Sequence, residues 1–409
     1  MGYRVESFEQ LLYQLHHSYL QARKNKRNTQ NQLSFELNQE TNLYHLANEI
    51  YNRTYTPKPC ITFIIHKPVM REIFAAEFSD RIIHHLIYRC IYPIIDRKLI
   101  HDTYSCRVGK GTLYGINRAK KFMRSCSRNY SRDAYVLKID IEAYFMNMHH
   151  ELIYDKVVKL LPENKNCFLG ISRETLLYLL QQTIFNSVTK NCRIRGSKSD
   201  WLGLPSSKSL FYYPEDTGLP IGNLTSQVFG NVYLNDFDHY VKKEMKIKHY
   251  GRYVDDMLFV HQDKCYLANI ISQLQEQASV AGLRLHPDKI VLKSVHEGVY
   301  FLGQIIKPYR TYISSRTKNN FYHAIQKINR IMTDQPRFTW EQLCDIRASI
   351  NSYLGIMRHA NSFNLRKAML ARLVGRFYDF FIVCKDLEKV TINEDFWQWH
   401  FSANYRFTK

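Results

Sequence analysis

Two adjacent aspartates, Asp255 and Asp256, interrupt an apolar stretch that reads Arg252-Tyr253-Val254-Asp255-Asp256-Met257-Leu258-Phe259-Val260. Asp tolerates turn geometry and the flanking residues favour strands, so the pattern predicts a strand, a tight acidic turn and a second strand. Neighbouring ionised carboxylates repel each other, and setting them at the tip of an apolar hairpin is favourable only with a cation beside them. Oxygen-only ligands of this kind suit Mg²⁺, which implies metal-dependent phosphoryl transfer. A second acidic position, Asp140, stands at the end of an apolar strand predicted over residues 134–141, in Lys138-Ile139-Asp140-Ile141-Glu142-Ala143-Tyr144-Phe145. Two-metal nucleotidyl transfer needs carboxylates on adjacent strands, bridging ions about 4 Å apart. Asp140 and Asp255 are far apart in the chain, so only a sheet with a long connection brings them together. A lone Asp after a strand is more often a cap or a turn former.

The elements that must position these residues are legible in outline. Residues 1–55 show helical spacing of Leu11, Leu12, Leu15, Leu43, Leu46 and Ile50, around a basic patch at Arg23–Arg27. Short strands and a helix from about Asp80 to Tyr92 follow, with Pro93 restricting its end. In Gly218-Leu219-Pro220-Ile221-Gly222-Asn223-Leu224-Thr225-Ser226-Gln227 a Pro/Gly turn leads to Thr225 or Ser226 as N-cap, and a helix through Val228, Phe229, Val232, Tyr233 and Phe237. The N-terminus of that helix suits a phosphate or a template strand. Amphipathic helices are predicted over 316–333, 340–358 and 362–380, with Ser352–Gly355 opening a small-residue gap, before an aromatic tail that reads as docked. His84-His85 and His149-His150 lack metal-ligand spacing and read as structural, and Glu142 and Asp238 are not demanded as ligands.

The whole chain fits a polyanionic partner. It has 57 Lys+Arg against 37 Asp+Glu, a formal charge of +20, with 29 Tyr and 23 Phe. Basic residues interleaved with aromatics suit single-stranded nucleic acid; a basic protein with a merely solvated surface is the alternative. The nine cysteines include no CxxC pair, which argues against a zinc site or a disulfide framework and fits a reducing cytoplasm. No stretch approaches the roughly 18 apolar residues of a membrane span, and no signal peptide is recognisable. At 409 residues, two or three subdomains are expected.

Taken together, these segments resemble a reverse transcriptase of the prokaryotic, non-retroviral kind. The Asp140 strand is similar to polymerase motif A, Gly218–Gln227 to motif B, Tyr253–Asp256 to the YxDD box of motif C, Leu283–Lys289 to motif D, and Tyr300-Phe301-Leu302-Gly303 to the primer-grip motif E. The resemblance spans roughly residues 57–310 and implies an α+β right-hand polymerase fold, with an antiparallel palm sheet flanked by helices and a three-helix thumb. The implied divisions are an N-terminal helical extension (1–56), fingers (57–133), palm (134–310) with a fingers insertion at about 150–217, thumb (311–384) and tail (385–409). Carried over residue by residue, Asp140, Asp255 and Asp256, with the carbonyl of Ile141, hold two Mg²⁺ ions, Mn²⁺ being the alternative. Lys67 and Arg71 clamp the incoming dNTP, Ile221, Gly222 and Gln227 line its pocket, and Phe145 excludes a 2′-OH. Lys289 donates a proton to pyrophosphate, a plain surface lysine being the alternative reading. Phe301, Leu302 and Gly303 grip the primer.

Motif B departs from the usual family pattern, with Ile221 where most relatives carry Gln and Gln227 where they carry Pro. The form Ile-Gly-x-x-x-Ser-Gln resembles diversity-generating retroelement enzymes, in which this position is linked to errors opposite adenine; similar motifs occur in antiphage-defence reverse transcriptases that copy a dedicated noncoding RNA. The implied partners are a noncoding template RNA, a DNA primer or product and dNTPs, with room for an accessory protein or second subunit and no membrane. The alternative of another class is a catalytically silent RNA-binding scaffold.

Overall fold

The computed structural model describes residues 7–24, 29–66 and 69–398. The described chain is α+β and forms two compact units. The first comprises the described residues up to Gly111, Leu137–Phe259 and Lys264–Leu292. The second comprises Thr112–Val136, Val260–Asp263 and the described residues from Lys293 onward.

In the first unit, helices Phe8–Arg23 and Gln39–Tyr51 bury Leu11, Leu15, Leu43, Leu46 and Ile50, and the former packs on the long helix Phe78–Lys98. Pro93 lies inside that long helix and does not end it. A proline removes only one backbone donor, and the buried Ile91, Ile94 and Ile95 hold the last turns in place. Strand β1 (Cys60–Ile65) pairs antiparallel with β2 (Arg71–Ala75), and the register Ile65↔Arg71 sets Arg71 at the turn end of the hairpin. Lys67 lies outside the described residues.

The sheet that carries the acidic residues uses β3 (Tyr135–Ile139). After it come the short pair β4 (Cys167–Phe168) and β5 (Ile171–Ser172), and β6 (Cys192–Ile194), which runs parallel to β1. Strands β7 (His249–Tyr253), β8 (Asp256–His261) and β9 (Val291–Ser294) complete the sheet in the order β7-β8-β3-β9. Met257 to Val260 are all buried, so β8 is covered on both faces.

The helix expected after Gly222 is two, Leu224–Tyr233 and Asn235–Lys243, broken at Leu234, and Phe237 falls on the second. Its N-cap is Asn223, not Thr225 or Ser226, which are buried in the first turn. A tertiary bond overrides the local preference: the Thr225 hydroxyl meets His84 Nδ1 at 2.7 Å. Burial holds His84 down at about 3, so the ring is neutral, and His150 Nε2 bonds the Gly218 carbonyl at 2.8 Å. Both histidine rings are thus held by hydrogen bonds within the protein.

In the second unit, helix Thr112–Cys126 accompanies a three-stranded meander, β10 (Val299–Phe301), β11 (Gln304–Lys307) and β12 (Arg310–Ile313). Helices Ser315–Asp334 and Trp340–Met357 build its core with Phe321, Ile325, Ile328, Leu343, Ile350 and Leu354, while Lys318, Lys327 and Arg330 stay exposed. The third predicted helix is split into Phe363–Leu370 and Phe377–Phe380. Asn329 explains the break: its amide donates to the Arg372 carbonyl (2.7 Å) and accepts from the Val374 N–H (3.1 Å), taking backbone groups that a continuing helix needs. Strands β13 (Phe381–Val383) and β14 (Val390–Ile392) follow. Phe396 and Trp397 pack on this core, whereas Trp399, Phe401, Tyr405 and Phe407 lie outside the described residues. Open space adjoins Gly355, where an added Cβ would meet nothing within 4 Å, so no neighbouring element packs closely on it. The nine cysteines are free, and no helix among the described residues is long and apolar enough to cross a membrane.

Candidate active site

Asp140 follows β3 directly, where buried Val136, Leu137 and Ile139 fix the strand. The chain beyond it is registered on the segment before Lys289. His286 N–H donates to the Asp140 carbonyl (2.8 Å), Glu142 N–H donates to the Arg284 carbonyl (2.9 Å), and buried Ile141 forms a bridge with Leu285. That register delivers Lys289, whose Nζ lies 2.7 Å from Asp140 Oδ1. Asp255 and Asp256 arrive on the β7–β8 hairpin, and β8 neighbours β3 in the sheet. Lys138 Nζ stands 3.2 Å from Asp256 Oδ1, a charge contact more than a well-aligned hydrogen bond.

The electrostatics are those of crowded carboxylates. Burial, then the negative charge of Asp140, push Asp255 up to about 6, against the pull of Lys289 and Arg71. Burial pushes Asp256 up to about 7, against Lys138, with Asp255 and Asp140 adding to the rise. The three carboxylates supply the all-oxygen donor set that a hard divalent cation takes. Asp140 and Asp256 are turned to lysines, and among the described residues no three ligand-type side chains are gathered round one point. Lys289 is half exposed on a flexible stem, so a cation can displace it.

The acidic turn is held by a buried ion pair that sequence reasoning missed. Val254 has φ +58°, an outlier for a β-branched residue. Arg252 Nη1 donates to the Val254 carbonyl at 2.8 Å. The same guanidinium donates to Asp238 through Nε (2.9 Å) and Nη2 (2.6 Å), and both side chains are fully buried. Tyr250 Oη (2.6 Å) and Thr103 Oγ1 (3.3 Å) also donate to Asp238. No local pattern in the sequence marks the pair: Asp238 sits in the polar helix Asn235–Lys243 and Arg252 in the strand His249–Tyr253.

The Gly218–Gln227 segment abuts both the Asp140 turn and the β1–β2 hairpin. Leu219 N–H donates to the Phe145 carbonyl (2.8 Å), and Phe74 N–H on β2 donates to the Ile221 carbonyl (3.0 Å). Gly222 has φ +126°, and a Cβ there would sit 3.1 Å from the Phe74 carbonyl oxygen, so only glycine fits. Half-buried Phe145 lies against Gly230, where a Cβ would come within 3.1 Å of its ring. Gln227 is exposed on its helix.

A family model described as reverse transcriptase (RNA-dependent DNA polymerase) matches residues 65–306, more than half of the chain. The chain belongs to the reverse transcriptase family. Among curated proteins it resembles Protein YkfC of Escherichia coli (strain K12), 24% identical over 293 residues that cover 63% of this chain and 69% of YkfC. Among solved structures it resembles apo telomerase from Candida tropicalis (13% identity, TM-score 0.47, 77% of this chain and 58% of that one). Telomerase from Candida albicans in complex with a TWJ fragment of telomeric RNA also resembles it (12% identity, TM-score 0.44, 79% and 57%). The chain thus spans little more than half the length of those telomerases.

In this reverse transcriptase, the segment similar to motif E forms a two-residue hairpin in the second unit. Leu302 (φ +49°) and Gly303 (φ +86°) join β10 to β11 with the paired positive φ angles of a type I′ turn, and Phe301 is buried. Arg71 is exposed at the hairpin end of β2, near enough to Asp255 to lower its pKa.

Proposed function

We propose that this chain is an RNA-directed DNA polymerase that copies a noncoding RNA into DNA from dNTPs by two-metal nucleotidyl transfer, in the cytoplasm of a prokaryote and as part of a diversity-generating retroelement. One observation carries the polymerase reading: Asp140 and the Asp255-Asp256 pair, distant in sequence, lie on neighbouring strands with their charges coupled. In this reading 57–133 act as fingers, 134–310 as palm with an insertion at about 150–217, 311–384 as thumb, and 1–56 and 385–409 as extension and tail.

Asp140, Asp255 and Asp256, with the Ile141 carbonyl, would hold Mg²⁺ or Mn²⁺. When bound, the ions lower the pKa of the primer 3′-OH and neutralise the triphosphate and departing pyrophosphate. Arg71, and Lys67 with it, would donate charge-assisted bonds to the triphosphate. Phe145 would fill the space of a 2′-OH, its ring placed by Gly230. Lys289 would leave Asp140 and give its proton to pyrophosphate. Phe301, Leu302 and Gly303 would support the primer end. Ile221 offers an alkyl group beside Gly222 where an amide would donate a hydrogen bond, which supports weak discrimination of the base pair and hence the retroelement reading.

Asp255→Ala is expected to abolish Mg²⁺-dependent dNTP incorporation on a primed RNA while the protein still binds RNA. Undiminished synthesis would overturn the polymerase assignment. Sequencing the RNA and DNA that co-purify with the protein tests the finer reading. A template copied with errors at adenine supports the retroelement; a short repeated or homopolymeric product from one structured RNA replaces it with the antiphage-defence role.

A further inference from the structure

The second unit contains a cationic groove that the polymerase reading does not use. It has a volume of about 960 Å³ and lies among helix Thr112–Cys126, the turn that follows it and the β11–β12 hairpin. Lys120, Lys121, Arg124, Arg128, Lys307 and Arg310 line it, and no carboxylate does among the described residues. Six like charges in one concavity repel each other, and nothing in the groove's own walls offsets them. Lys120 is half-buried with its pKa lowered by burial, and its ammonium has no acceptor among the described residues.

The walls are built with strained backbone. Arg128, Asn129 and Tyr130 are three successive residues in the left-handed region (φ 48°, 60° and 65°), and Tyr309 across the groove is a fourth (φ 60°). Left-handed conformations are unfavourable for residues with a side chain and persist only where the surroundings enforce them. Here Asn129 N–H donates to the Arg124 carbonyl (2.8 Å), Arg124 Nε to Asn129 Oδ1 (2.9 Å), and Tyr130 N–H to Ser127 Oγ (2.8 Å). Tyr309 Oη donates to the Asn129 carbonyl (3.0 Å), and the rings of Tyr130 and Tyr309 meet edge to face at 4.9 Å. Tyr309 is nonetheless 73% exposed, so a large part of its surface is free to stack.

We propose that this groove holds a single-stranded stretch of polynucleotide, with phosphates against the guanidinium and ammonium groups and one unpaired base against Tyr309. Both features are needed: the charges alone would accept any polyanion, and the exposed ring selects a strand with a free base face. RNA and DNA share this chemistry, and the test separates them. The proposal rests on the polymerase reading only for the expectation that such strands are at hand.

The experiment uses the full chain, fluorescein-labelled oligouridylate and oligothymidylate of about 20 nucleotides, and a salt series, without dNTPs. Loss of synthesis in Asp255→Ala and loss of strand binding here are therefore separate readouts. Arg128→Glu with Arg310→Glu, both exposed, is expected to weaken binding more than about tenfold and to make the log K against log salt slope shallower by about 1.4, two phosphate contacts on a single strand. Tyr309→Ala is expected to weaken binding about fivefold or more with the slope unchanged. Tighter binding of RNA assigns the groove to template or noncoding RNA; tighter binding of DNA assigns it to the product strand. Crosslinking of 4-thiouridine RNA to the unmodified protein should label the peptides holding Tyr130 or Tyr309, and it decides alone if a variant fails to fold. Unchanged affinity and slope in both variants, or crosslinks confined to other peptides, overturn the proposal.

Discussion

Asp140 and Asp256 each face a lysine ammonium, while Asp255 is pushed up by burial and by Asp140 and pulled down by Lys289 and Arg71. An ammonium balances charge but occupies only one direction around a carboxylate, so the oxygens of all three aspartates retain acceptor capacity. The raised values of Asp255 (about 6) and Asp256 (about 7) fix the sign of the pH dependence. A carboxyl raised in the folded state binds protons there more readily than in the unfolded chain. Stability without metal therefore falls as pH rises from the ordinary carboxyl range through about 7, where the folded protein must give those protons up. Metal binding needs the ionised forms and removes the repulsion, so Mg²⁺ acts in the opposite sense. Calorimetric titration should give Mg²⁺ affinity that strengthens from about pH 6 to about pH 8, and thermal melts should show the gain from Mg²⁺ growing over the same range. Affinity that is flat with pH would show that these carboxyls are not the ligands.

At the scale of the element, the β7–β8 hairpin depends on the Arg252–Asp238 pair more than on its own turn residues. Val254 cannot relax the turn, because a β-branched residue at φ +58° is strained wherever it occurs, and the donor from Arg252 to its carbonyl holds it there. Asp238→Ala leaves a buried guanidinium unpaired and is expected to destabilise the protein by about 3–5 kcal/mol. Arg252→Met together with Asp238→Leu removes both charges and is expected to recover most of that stability in urea unfolding. Nucleotide incorporation should stay low in the double variant, because the Val254 carbonyl has lost its donor. Full activity there would show that the pair serves folding alone. The same hairpin shows what a sequence can and cannot reveal. Two carboxylates between apolar runs are a local pattern, and so are the β1 run and the amphipathic spacing of Phe321, Ile325 and Ile328. The N-cap of helix Leu224–Tyr233 and the break after Leu370 are not legible locally, because distant side chains, His84 and Asn329, decide them. Arg252 and Asp238 were visible as residues but not as partners, since their pairing depends on how a helix packs on a sheet.

At the scale of the whole molecule, the excess of 20 positive charges acts before any specific contact forms. Contacts within a groove or at the carboxylates set how long a strand stays; the summed field sets how fast it arrives. The described basic residues are spread over both units, from Arg71 near the acidic hairpin to Lys318, Lys327 and Arg330 on the exposed side of helix Ser315–Asp334. A long polyanion therefore meets attraction over much of the surface, and at separations beyond the roughly 8 Å screening length of physiological salt that attraction fades. Stopped-flow mixing with a labelled single-stranded RNA should give an association rate that drops by about tenfold or more between low and physiological salt, as steered encounters do. Reversing exposed charges outside the active site, such as Lys318→Glu with Lys327→Glu, should lower the association rate while leaving the dissociation rate nearly unchanged. An association rate indifferent to salt would mean that the positive charge is a solvated surface, and that nucleic-acid capture depends on local contacts alone.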